Sequence, residues 1–167
     1  MVTYGSSMRW FFGRLPKVGD LPAALREELE REAIIVVAEN VRVRQRFSGS
    51  VPGRHDAVGM SWNTGFFVCT RQRLYASIPT MRRLTQPVVD QAWDAAQHGP
   101  AKVVIDESGV VLTIDLRRVD ARFHGEVSET FKTDLSADVL AALPKRALSF
   151  DVSPEYVFHS LGVRART

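Results

Sequence analysis

Cysteine is nearly missing from this chain: Cys69 stands alone among 167 residues, so no internal disulfide can form. Continuous apolar stretches are also short. None approaches the roughly 20 residues that a membrane-crossing helix needs. The N-terminal Met8-Arg9-Trp10-Phe11-Phe12 is broken off by Gly13, Arg14, Pro16 and Lys17, without the apolar region and small-residue cleavage site of a signal peptide. A cytoplasmic protein is the expectation. Lysine is scarce beside arginine, and no segment is repetitive or of low complexity. Metal-ligand spacing is absent as well. His55, His98, His124 and His159 form no pair on one helix face, and Cys69 has no companion thiolate, so no metal is expected.

The chain does have the composition of an ordinary globular domain, 45% hydrophobic and 25% charged. At this length it can bury most of its unfolded surface without staples. The net charge is +3, but its distribution is uneven: residues 1–83 carry 13 Lys and Arg against 7 Asp and Glu, whereas residues 84–167 carry 9 against 12. The first half therefore builds a basic surface, suited either to an anionic partner or to plain solvation.

Hydrophobic periodicity places the elements. Asp20 to Ala33 reads as a helix with Asp20 as cap, Pro22 in the first turn and Leu21, Leu25 and Leu29 on one face. The β-branched run Ile34 to Val37 ends it and enters a sheet. From Val41 the period is two: Val41, Val43, Gln45 and Phe47 face one way, and Arg42, Arg44 and Arg46 the other. A loop over Ser48 to Ala57 is expected from Gly49, Pro52 and Gly53. The apolar runs Gly65 to Cys69 and Leu74 to Ala76, joined by Thr70-Arg71-Gln72-Arg73, read as a hairpin. A loop around Pro79 and the segment Pro87 to Trp93 follow. Lys102 to Asp106 and Val110 to Leu116 form another hairpin about Asp106-Glu107-Ser108-Gly109. Gly125 to Lys132 alternates again. Asp134 to Leu143 is a second helix stopped by Pro144, Ala147 to Val152 is strand-like, and Ser153-Pro154 to Gly162 is a closing helical turn or two.

Runs of strands without intervening helices imply a mainly β protein with an antiparallel sandwich or partly open barrel. The stretch Phe67-Val68-Cys69-Thr70-Arg71-Gln72-Arg73-Leu74-Tyr75, followed by the Trp93 segment and a helix, resembles the bacterial pleckstrin-homology-like (PH-like) family. The resemblance covers roughly Glu39 to Leu143. It implies bent antiparallel sheets plugged by a C-terminal capping helix, here with an extra N-terminal helix. The corresponding division is 1–38 as an N-terminal extension, 39–144 as the PH-like domain and 145–167 as a C-terminal ornament.

The chemistry-bearing residues are few. Gly-rich phosphate loops, Gly-x-Ser-x-Gly elbows and His-Glu-x-x-His are all missing. Asp106 and Glu107 lie in a turn, where carboxylates are ordinary. Cys69, inside an apolar run, is expected to be an inert core residue. What remains is Arg42, Arg44 and Arg46 on one strand face, with Arg54 in the following loop. Guanidinium groups there either hold phosphate or carboxylate bidentately or guard a strand edge. The resemblance implies a non-enzymatic binding or scaffolding domain without cofactor. Its partner would be a protein, a peptide or an anionic ligand, with peripheral membrane contact open and nucleic acid not expected. A barrel carrying an apolar small molecule and a hydrolase with a dispersed site are the alternatives.

Overall fold

The alternation that begins at Val41 belongs to a strand far longer than the arginine row. In the computed structural model, which describes residues 19–79 and 86–164, β1 runs over Ile34–Val51 and β2 over Arg54–Thr70. The expected loop at Ser48 to Ala57 is therefore mostly strand. Only Pro52-Gly53 turns, with Gly53 at φ +95°, a conformation that glycine adopts without steric cost. Gly49 is no turn residue. It lies opposite Gly125 at a register shift, and a Cβ there would sit 2.0 Å from the His124 carbonyl oxygen. The glycine pair lets the two strands cross closely while β1 bends.

The remaining strands are β3 (Arg73–Ser77), β4 (Val89–Ala92), β5 (Ala101–Asp106), β6 (Gly109–Asp115), β7 (His124–Lys132) and β8 (Ala147–Phe150). They form one antiparallel sheet in the order β4-β3-β2-β1-β7-β6-β5-β8, curled into a nearly closed barrel. Three helices accompany it among the described residues: α1 (Ala23–Glu30), α2 (Ala137–Ala142) and α3 (Pro154–Leu161). The mainly β, antiparallel architecture agrees with the sequence. None of these helices is long and apolar enough to cross a membrane.

Inward-facing residues follow the expected period over β1, where Val41, Val43, Gln45 and Phe47 are all buried. Phe67, Cys69, Leu74, Trp93, Phe131 and Leu140 join them in one core. Val111 does not. In β6 it is Val110, Leu112 and Ile114 that point inward, and Val111 lies half-buried on the other face. Three consecutive apolar residues leave the phase of a strand unmarked. Inside the barrel, the Gln45 amide donates to Glu129 Oε1 at 3.0 Å and to the Ser160 carbonyl at 2.8 Å. One buried side chain thus ties β1, β7 and α3 together.

The run Gly65 to Cys69 is continuously apolar because both faces of β2 are covered there. Phe67 and Cys69 face the barrel interior, while Phe66 and Val68 face outward under Leu21 and Leu29 of the N-terminal helical segment. The helix is shorter than expected, because Asp20 does not cap it. Its carboxylate accepts from the Asn40 amide at 2.6 Å instead, and Pro22 occupies the cap position.

The segment 145–167, expected as an ornament, is integral as far as it is described. β8 pairs with β5, and Val157, Phe158 and Leu161 of α3 are buried in the core. Ser153 caps α3 by accepting from the Tyr156 amide, and Gly162 closes it at φ +68°. The expected 38/39 boundary falls inside β1. The N-terminal Met8–Phe12 stretch, part of the loop after Pro79 and residues 165–167 lie outside the described residues.

Candidate functional site

The Thr-x-x-Arg-Leu corner turns out to be a structural clamp. The Thr70 hydroxyl accepts from the backbone N–H of Gln72 and of Arg73, both at 3.0 Å, and closes the tight turn between β2 and β3. Trp93 donates its indole N–H to the Thr70 carbonyl at 2.8 Å. The Arg73 guanidinium then gathers three carboxylates: Glu32 at 2.8 Å, Glu28 at 2.7 Å and Asp90 at 3.0 Å. Partial burial works against its charge. The hydrogen bonds to Glu32, Glu28 and Asp90 outweigh that and push its pKa up, so it stays cationic. These contacts fasten α1 and β4 to the hairpin.

Cys69 is fully buried, and burial pushes its thiol up to about 12. A thiol reagent should therefore label the native protein many times more slowly than the unfolded chain. An unfolded cysteine loses its proton near pH 9 and the folded one does not, so the contribution to stability falls from about pH 9 to about pH 12. Cys69→Ala should remove that part of the alkaline destabilisation. Equal labelling rates in native and denaturing buffer would contradict the burial argument.

Other residues considered for chemistry are dispersed. All four histidines are exposed, and among the described residues no group of three or more His, Cys, Asp or Glu could hold a metal. Asp106 accepts from the Ser108 hydroxyl and backbone N–H, which lower its pKa and shape the turn.

The arginine row is where the sequence placed it, with neighbours the sequence did not reveal. Arg42, Arg44 and Arg46 stand on the outer face of β1. Across the β1–β2 ladder Arg44 faces Trp62 and Arg46 faces Met60; across the β1–β7 ladder Arg42 faces Lys132. The outer row of β2 reads Val58, Met60, Trp62, Thr64, Phe66, Val68. The N-terminal helical segment covers Phe66 and Val68, but Val58, Met60 and Trp62 remain 60%, 56% and 45% exposed. Arg42 lies 4.4 Å and Lys132 5.2 Å from the Trp62 ring centroid, so two cations flank one indole. The result is an apolar stripe bordered by a cationic row.

Arg54 is not in this group. Its guanidinium pairs with Asp56 at 2.7 Å, donates to the Leu161 carbonyl at 3.0 Å and lies over the Phe47 ring. Phe47 points inward, so Arg54 is on the opposite side of the sheet, completing the C-terminal end of α3.

Comparison with family models, with curated proteins and with solved structures returned no match to this chain.

Reasoning from sequence missed Val58, Met60, Trp62 and Lys132. The local pattern carries half of the signal: Val58, Met60 and Trp62 alternate with Gly59, Ser61 and Asn63 at strand period, which marks an apolar row without saying that it faces outward.

Proposed function

We propose that this protein is a non-enzymatic PH-like binding module whose partner surface is the outer face of β1, β2 and β7, and that it takes an anionic protein or peptide. One observation carries the reading. Arg42, Arg44 and Arg46 stand in one row on a single strand face, and none of the three has a carboxylate within ion-pair distance among the described residues. Charges placed side by side without counter-charge repel, and that arrangement is sustained most easily where a partner supplies the opposite sign. The adjoining Val58, Met60 and Trp62 add contact area, and Trp and Arg are the residues that most often dominate binding energy. The curled antiparallel sheet, with Leu140 of α2 and Val157, Phe158 and Leu161 of α3 buried in its core, supports the PH-like part of the reading. A carrier of an apolar molecule is less well supported, because Phe47, Phe67, Phe123, Phe131, Leu74 and Leu112 occupy the interior.

Retention on immobilised polyglutamate at low ionic strength tests this. The wild-type protein should elute at clearly higher salt than an Arg42→Ser/Arg44→Ser/Arg46→Ser variant, since exposed charges act through a screened field. Elution of both at the same salt concentration would remove the proposal.

A further inference from the structure

β2 is paired unequally along its two edges. β1 lies along it from Arg54 to Thr70, but β3 covers only Phe66 to Cys69. Among the described residues, the edge from Arg54 to Asn63 has no strand beside it. Its outward N–H and C=O groups are strong, directional hydrogen-bonding groups set at strand spacing. Exposed edges are commonly blunted by proline, lysine or inward-pointing charge. Arg54 and Asp56 place charge on the inner side at the start of this edge, but over Met60-Ser61-Trp62-Asn63 none of these devices is present.

We infer that this edge receives an extended acidic peptide as an added antiparallel strand, a mode that rests on the binding face proposed above. The side chains on both faces fit such a guest. On the outer face, alternate guest residues would fall about 5 Å from Val58, Met60 and Trp62, within cross-strand contact. Arg44 and Arg46 stand one strand further on, about 10 Å from the guest backbone at strand spacing. A guest glutamate and an arginine extended toward each other span that gap. On the inner face the Asp56 carboxylate and the Arg54 guanidinium crowd Gly59, 2.9 and 3.2 Å from where a Cβ would stand, so a small guest side chain would lie beside the exposed Ser61 instead.

A second copy of this chain is the other occupant to weigh. Two-fold pairing along this edge would set two identical arginine rows on one continuous face and bring no opposite charge to either. An acidic strand supplies it. Charge complementarity therefore selects the peptide.

The probe is a capped peptide of about ten residues, long enough to lie along the free edge, with serine at one set of alternate positions and valine and glutamate taking turns at the other. It is compared with two forms N-methylated on one or the other alternate set of amides. Binding is read by fluorescence anisotropy of the labelled peptide. In an added strand only one set of guest amides faces β2, so methylating that set should weaken binding at least tenfold while methylating the other leaves it nearly unchanged. Equal tolerance of both methylated forms, equal loss with both, or no binding of the unmethylated peptide at low salt would overturn strand addition. The triple arginine variant separates the two readings. If it binds the peptide as wild type does and still distinguishes the methylated forms, the edge is used and the anionic-partner proposal fails. If wild type is retained on polyglutamate but does not distinguish the methylated forms, the face stands and the added strand falls. Sedimentation of the free protein gives the last check: a dimer that the peptide does not dissociate would assign the edge to a second copy.

Discussion

Phe131→Ala is expected to destabilise the protein by about 3–5 kcal/mol, by lost burial plus the cavity left behind. Phe131 is fully buried in β7, opposite Val43 on one side and Val110 on the other. Its ring meets the edge of Phe67 with centroids 6.2 Å apart at 89°. The site cannot collapse easily, because both neighbouring strands are held at fixed spacing by their ladders. Gly65 shows how closely the space is filled: a Cβ there would come within 3.2 Å of the Phe131 ring. Phe131→Leu keeps most of the volume and should cost much less, roughly 1–1.5 kcal/mol. Urea titration of the three proteins gives both numbers. A loss below about 1 kcal/mol for the alanine variant would mean that the core is centred elsewhere.

Arg73→Ala should cost about 2–4 kcal/mol, somewhat less than for a fully buried pair because its side chain retains 19% exposure. The loss has two parts. The hydrogen bonds to Glu28, Glu32 and Asp90 disappear, and three carboxylates from α1, the turn after it and β4 are left converging without a cation. Arg73→Lys should recover little, since a single ammonium cannot present the planar fork that spans three partners. Part of the loss is repulsion, so about 1 M salt should reduce the difference between variant and wild type. Adding Glu32→Ala to Arg73→Ala should cost less than the sum of the two single changes, the mark of groups that act together. Strict additivity in the denaturation energies would show that Arg73 does not clamp these elements.

The sequence made elements legible where a local pattern has one physical meaning. Ser153-Pro154 with Gly162 marks both ends of α3, because a cap, a first-turn proline and a left-handed glycine each satisfy groups that only a helix end leaves open. The alternation of Arg42, Arg44 and Arg46 against Val43 and Phe47 fixed the face of β1 in the same way. Patterns with two meanings were misread. Gly49 looks like a turn residue, but its use is a close crossing with Gly125, a contact across distant parts of the chain. Val58, Met60 and Trp62 show the period of a strand, and period alone does not say which side is the core. The combination of Trp62 with Arg42 and Lys132 depends on pairing between β1 and both of its neighbours, which no local window contains.

β1 is the seam between two groups of strands, β2 to β4 on one side and β5 to β8 on the other. Each group consists largely of neighbours in sequence that can zip from their turns. The ladder from β1 to β7 is different: it joins Arg42 to Lys132 and Ser50 to His124. Closing it requires two points roughly eighty residues apart to meet, an entropic cost incurred before any contact repays it, and this places folding in the millisecond-to-second range. The two groups are thus expected to assemble first and the seam last. Until that seam closes, Val43 and Phe131 lie open to solvent on facing halves of an unfinished barrel.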